Sequence, residues 1–157
     1  RAIISHYDIY QCPAARYGSP MTADLTDADY AVLADFRFAL REFLAFTEKN
    51  AAACGLTPQQ HQALLAVRAA PPLKATVGYV AERLILKPHS ATGLVDRLET
   101  LGLLRRRLSD HDRRQALLEV TDRAHVLLAT LTATHRNEIV RVRPMLMALL
   151  AQFGDAS

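Results

Sequence analysis

The sequence predicts a mainly α-helical chain that carries one small β-hairpin. Three observations predict it. Apolar residues recur at three- and four-residue steps along most of the chain, the spacing that lines one face of a helix. Two short apolar-polar runs, Leu103–Leu108 and Gln115–Val120, flank a polar tip and have the length of paired strands. Prolines and glycines stand at the edges of the periodic segments, where helices start and stop.

Each element follows in order. Residues 1–20 have no clear period and hold Tyr7, Tyr10, Cys12, Pro13, Tyr17, Gly18 and Pro20, so they are expected to be a leader or flexible arm outside the native fold, with Met21 reading as a natural start. From Asp27 to Ala53 Leu33, Phe36, Leu40, Phe43 and Thr47 form a helical stripe that Leu44 widens. That stripe is too long for one small lobe to cover and points to a partner helix. Gly55 ends the helix. Thr57-Pro58-Gln59-Gln60 opens the next with a capping hydroxyl, a proline at the first helical position and a glutamine that can reach back. Pro71-Pro72 stops this helix after about Ala70.

A short helix is expected over Thr76 to Leu84, with Val77, Val80, Ala81 and Leu84 inward. Lys87-Pro88 starts another, closed by Gly102. Its inward positions are Ala91, Leu94, Val95 and Leu98, which leaves His89, Ser90, Thr92, Gly93, Asp96 and Arg97 outward. After the hairpin the chain returns to helix at Thr121, through Leu127, Leu128, Leu131, His135 and Ile139. Pro144 is expected to break or kink it, leaving Met145–Phe153 as a last short helix.

Composition narrows the function. No apolar run approaches the roughly 18–20 residues of a membrane span, and no secretory pattern stands at the N-terminus, so the chain is expected to be soluble and cytoplasmic. The net charge is +3, but residues 74–114 hold nine Lys or Arg against five Asp or Glu. This quarter carries more than the whole surplus, as expected where a polyanion binds. No G-x-S-x-G, phosphate-binding glycine loop or metal triad is present, and His111, between Asp110 and Asp112, is too exposed on a hairpin tip for a tuned catalytic pKa. An enzyme is therefore not expected, nor a cofactor or metal: the six histidines lack ligand spacing.

Two short helices followed at once by a basic hairpin make a winged helix-turn-helix. Its second helix must present small polar groups to base edges in a major groove about 12 Å wide. Outward His89, Ser90 and Thr92 are of that kind, and Gly93 lets a backbone approach closely. Cations on the lobe and hairpin serve phosphates, which fix register. Arg105, Arg106 and Arg107 cannot all face DNA, because strand neighbours point to opposite sides: Arg105 and Arg107 share one face and Arg106 takes the other. Arg83 and Arg97 have acidic neighbours in Glu82, Asp96 and Glu99 with which they can pair.

The sequence resembles the MarR-type regulators over residues 25–153. The resemblance rests on Leu56-Thr57-Pro58-Gln59-Gln60, Val80-Ala81-Glu82-Arg83-Leu84, Leu94-Val95-Asp96-Arg97-Leu98-Glu99, Gly102-Leu103, Ser109-Asp110-His111-Asp112-Arg113-Arg114 and Leu118-Glu119-Val120-Thr121, in this order and spacing. It implies a homodimer whose N- and C-terminal helices interlock: residues 21–55 and 121–157 for dimerisation, and 56–120 as the DNA-binding lobe. It implies double-stranded operator DNA as partner, with Arg114 entering the minor groove and Asp112 orienting it. A narrow minor groove favours arginine, and a carboxylate fixes its planar fork. The expected DNA contacts are Lys87, His89, Ser90, Thr92, Gly93, Arg97, Arg107, Asp112, Arg113 and Arg114. The sequence departs from the family at Lys87, where Ser or Thr often caps the helix, and at Gly93, where a larger polar or basic residue often stands.

The resemblance also implies an effector, a small aromatic or phenolic anion, that relieves repression. Candidate cations for its cleft are Arg37, Arg41, His61, Arg68 and His135. Thiol sensing is not expected: Cys12 lies in the leader, and Cys54 ends a helix whose dipole disfavours a thiolate. The function expected is a ligand-relieved homodimeric repressor. Its alternative is an architectural or protein-interaction winged helix with little sequence preference, which the salt slope and the specific-to-random affinity ratio would separate.

Overall fold

The computed structural model describes residues 25–108 and 116–152. Five helices and two strands follow in the order α1 (Asp27–Ala53), α2 (Pro58–Ala69), α3 (Val77–Arg83), α4 (Pro88–Thr100), β1 (Leu104–Leu108), β2 (Ala116–Val120) and α5 (Asp122–Ala151). The expected fold class is thus observed: mainly helical, with a small antiparallel wing. The chain divides into two compact units, Arg41–Arg143 and the pair Arg1–Leu40 with Pro144–Ser157, and α1 and α5 contribute to both. No described helix is long and apolar enough to cross a membrane.

Local chemistry sets the helix boundaries. The Thr57 hydroxyl accepts the Gln60 N–H at 3.2 Å and the Gln60 side chain accepts the Thr57 N–H at 2.9 Å, closing the capping box that starts α2. The Thr76 hydroxyl accepts the Tyr79 N–H at the start of α3. Three helices end alike. After α1 the amides of Gly55 and Leu56 donate to the carbonyls of Ala52 and Ala51. After α4 those of Gly102 and Leu103 donate to Glu99 and Leu98. After α3 those of Ile85 and Leu86 donate to Glu82 and Ala81. This paired closure needs one residue in the left-handed region. Gly55 and Gly102 supply it at φ +75° and +66°, and Ile85 adopts it at φ +55° despite its branched side chain.

The core of the larger unit gathers Leu64 of α2, Val80 of α3, Leu94, Val95 and Leu98 of α4, Leu104 of β1 and Leu131 of α5, all nearly inaccessible. The expected inward stripe of α4 is buried at all four positions. In α3 Val80 and Ala81 are buried, while Val77 and Leu84 are half-buried against the same core. The wing pairs in register, Leu104 opposite Val120 and Leu108 opposite Ala116. The Leu118 N–H reaches the carbonyl of Ala75 at 2.7 Å, tying β2 to the segment before α3.

Two expectations for α5 need correction. The helix does not stop at Pro144 but runs unbroken through it. Proline removes one donor, leaving the carbonyl four residues back, at Val140, without its bond. Val140 is exposed, so water can serve that carbonyl. The inward stripe also leaves Ile139 exposed and instead continues from His135 through Glu138 to Val142, the steps of three and four that keep one face. In α1 Phe36 and Phe43 are half-buried, whereas Leu33, Leu40 and Leu44 remain exposed. The expected leader, residues 1–20, lies outside the described residues.

Candidate nucleic-acid interface

The apolar stripe of α4 fixes what its other face offers. With Ala91, Leu94, Val95 and Leu98 turned inward, His89, Ser90 and Thr92 are exposed together on the first turns. The Thr92 hydroxyl donates to the Pro88 carbonyl at 3.1 Å. It therefore presents its methyl and spare acceptor lone pairs outward, rather than a free donor. Lys87 holds the cap position with its backbone only: the Ser90 and Ala91 amides bond its carbonyl and no side-chain cap forms. Gly93 is half-buried, and a Cβ there would meet Nη1 of Arg97 at 3.7 Å, an ordinary contact. Nothing within the described fold requires glycine at this position. Arg97 itself is exposed one turn further on.

The three arginines of β1 divide by the alternation of a strand. Arg105 and Arg107 both reach Glu119 on β2, each through Nε at 2.9 Å to a different carboxylate oxygen. Arg106 turns the other way. Its Nη2 meets Asp96 Oδ1 at 2.6 Å, its Nη1 bonds Glu99 Oε2, and its own N–H donates to Glu99 Oε1 at 3.2 Å. Hydrogen bonding to Asp96 outweighs desolvation and, with the charges of Glu99 and Asp96, holds the Arg106 guanidinium above its ordinary pKa. Two of the three carboxylates expected beside Arg83 or Arg97, Asp96 and Glu99, are thus taken by Arg106, which the strand register carries to the α4 side. Sequence reasoning had turned Arg106 away from Arg105 and Arg107 but had not given it these partners. The available signal was Asp96 and Glu99 three residues apart on one helical face. Asp112, Arg113 and Arg114, expected at the hairpin tip, lie outside the described residues.

The candidate effector residues separate. His61 of α2 and His135 of α5 are buried with ring centroids 5.0 Å apart, edge to face, and Phe46 of α1 stands 6.3 Å from His135. Neither Nε2 has a hydrogen-bond partner. Burial pushes His61 below the ordinary imidazole pKa, with the His135 charge adding to it. Burial likewise lowers His135, opposed by a hydrogen bond with the Thr47 backbone. Arg37, Arg41 and Arg68 are exposed and do not join this pair. One turn beyond His135, Glu138 is gripped by Arg141 through two bonds of 2.9 and 2.6 Å, which lower the carboxyl's pKa. An open cleft of about 560 Å³ lies elsewhere, lined by Pro72, Leu73, Lys74, Thr76, Tyr79 and Glu82. None of the five effector candidates lines it. Among the described residues no group of three metal-ligating side chains occurs. Cys54 is a half-buried free thiol at the end of α1.

Comparison with known proteins sets this geometry beside a known family. Residues 55–115 match the family model described as "MarR family". No curated protein matches the sequence. Among solved structures, the chain is similar to AbsC, a MarR family transcriptional regulator from Streptomyces coelicolor, at 19% identity over 75% of this chain and 80% of that one, with a TM-score of 0.63. It is similar to MepR from S. aureus in complex with DNA, at 18% identity over 82% and 94% of the two chains, TM-score 0.60. It is similar to CouR from Rhodococcus jostii bound to p-coumaroyl-CoA, at 22% identity over 78% and 90%, TM-score 0.60. At these identities the structures establish a shared fold. Residues 55–115 of this chain thus match the MarR family model, and the chain shares its fold with solved MarR-family structures.

Proposed function

We propose that the protein is a DNA-binding transcriptional regulator that acts as a homodimeric repressor and is released by a small anionic effector. The observation that carries this reading is the exposed face of α4. His89, Ser90 and Thr92 stand together on its first turns, beside a wing whose outer strand holds Arg105 and Arg107, in a lobe matched to the MarR family. A helix end bearing small polar groups can enter a major groove while arginines and Lys87 neutralise phosphates. A solved relative in fold, MepR, is known in complex with DNA. On the family's pattern Arg114 is assigned to the minor groove with Asp112 orienting it, Gly93 lets the backbone approach closely, and Arg97 and Arg113 are further DNA contacts.

Two further features support the finer parts. Tyr30, Leu33 and Phe38 on α1, and Met145, Met147 and Leu150 near the end of α5, are large and exposed, as faces awaiting a second copy would be. The buried, unpartnered Nε2 atoms of His61 and His135 offer polar anchors for an aromatic anion, with Arg37, Arg41 and Arg68 as outlying cations. CouR, of the same fold, is known with p-coumaroyl-CoA.

The test is binding to the DNA upstream of the protein's own coding region and to a random duplex of equal length, across a salt series. The proposal expects about a thousandfold preference or more for one duplex. Equal, steeply salt-dependent binding to both marks a sequence-tolerant architectural protein instead. Arg114→Ala is expected to weaken operator binding and leave the melting temperature unchanged; unaltered affinity would remove Arg114 from the contact.

A further inference from the structure

The wing of a two-stranded sheet needs something to fix its direction, since an isolated hairpin is at best marginally stable. Here Leu104 is buried in the core, but Arg105, Arg106, Arg107 and Leu108 are all exposed. Beyond Leu104, apolar packing therefore does little to hold β1 against α4. What spans the gap is polar. Arg106 bonds Asp96 and Glu99 through separate guanidinium nitrogens and adds its backbone N–H to Glu99. Asp96 and Glu99 are one turn apart, so a planar two-pronged cation reaching both has its orientation set by the helix. On the opposite face of β1, Glu119 holds Arg105 and Arg107, so the strand carries its outward cations in a fixed row.

We propose that Arg106 is a positioning residue for DNA recognition: it clamps the wing to the reading helix through Asp96 and Glu99, so that the base-facing side chains of α4 and the cations of β1 meet one duplex in a single register. The inference rests on the DNA-binding reading above and adds to it a residue that touches no DNA. It also explains two carboxylates on a helix that approaches a polyanion. Left alone they would repel phosphate; bound to Arg106 they serve geometry. The arrangement makes an unusual demand. Removing both negative charges should weaken specific binding, where simple electrostatics requires it to strengthen.

The experiment uses the full chain and two probes: a 30-base-pair duplex enriched by the wild-type protein from a random pool, and the unselected pool. The variants are Asp96→Asn with Glu99→Gln together, and Arg106→Lys, which keeps the charge but loses the fork. The substituted side chains are exposed or, at Glu99, half-buried, and circular dichroism checks that the fold survives. The expected result is a loss of about tenfold or more in affinity for the enriched duplex in each variant, with binding to the unselected pool unchanged or tighter in the double variant. Amide hydrogen exchange at Arg106 and Arg107 should quicken in both variants while that of Leu94 and Leu98 stays slow. Undiminished affinity of the double variant for the enriched duplex overturns the clamp, as does rescue by Arg106→Lys to wild-type affinity. Failure of the wild type to bind either probe at low salt overturns the DNA-binding reading and the clamp with it, and so is distinct from a failure of the clamp alone.

Discussion

Ile85 occupies a position that glycine fills at the two other helix ends closed in the same way. An L-residue in the left-handed region costs roughly 1–2 kcal/mol, and a branched side chain has no compensating local hydrogen bond. Ile85 is 60% exposed, so its side chain recovers little by burial. Ile85→Gly is therefore expected to stabilise the protein by about 1 kcal/mol, read as a higher urea midpoint at unchanged slope. A second prediction at this scale concerns His61 and His135. Both folded pKa values lie below the unfolded value of about 6.5. Below that pH the unfolded chain binds protons that the folded chain refuses, so the stability conferred by the neutral pair is full above about pH 6.5 and falls as the solution is acidified. Melting temperature should drop between pH 7.5 and 5.5, and replacing both histidines by asparagine should flatten that slope. An equal slope in the double variant would place the acid sensitivity elsewhere, with Glu138 beside Arg141 as the next group to examine.

At the scale of the element, α4 holds the proposed reading face and a glycine that the fold itself does not require. Gly93 in mid-helix costs about 0.5–1 kcal/mol relative to alanine, and a Cβ there meets only the end of the flexible Arg97 side chain. Gly93→Ala is expected to raise stability by that amount and, where the helix backbone lies close to DNA, to lower operator affinity; a gain in both would remove Gly93 from the interface. The side chains around it should divide by role. Ser90→Ala and Thr92→Ala should each relax preference at particular base pairs by about 1–3 kcal/mol, measured against duplexes substituted one pair at a time. Equal losses on all duplexes would reassign them to phosphate. The Thr92 bond to Pro88 leaves its methyl to face a thymine, so its preference is expected at an A·T pair.

For the whole molecule the open question of physics is the exposed apolar surface of α1 and of the end of α5. Tyr30 is 62% exposed and Phe38 55% on one helix, and such apolar surface marks an interaction site where it is contiguous. A second copy is the expected cover. Phe38→Glu should shift the protein toward monomer in light scattering at micromolar concentration and weaken operator binding through loss of the paired half-site contact. A dimer unchanged by that substitution would place the interface on another face.

The sequence by itself determined the periodic faces, the caps and the order of the elements. Thr57 and Gln60, the prolines opening α2 and α4, and Gly55 and Gly102 act over three to six residues, and local chemistry of that range is written in the chain. His89, Ser90 and Thr92 could be placed outward because a helix turns by a fixed angle per residue. The tertiary structure alone decided which partners distant groups choose. Arg106 meets Asp96 and Glu99 only because the hairpin folds beside α4. His61 meets His135 only because α2 and α5 pack together, whereas Arg37, Arg41 and Arg68, equally plausible on charge, do not join them. Pro144 stays inside a continuous helix where the residue four back, Val140, is exposed and water can serve its carbonyl, a matter of surroundings that periodicity does not encode.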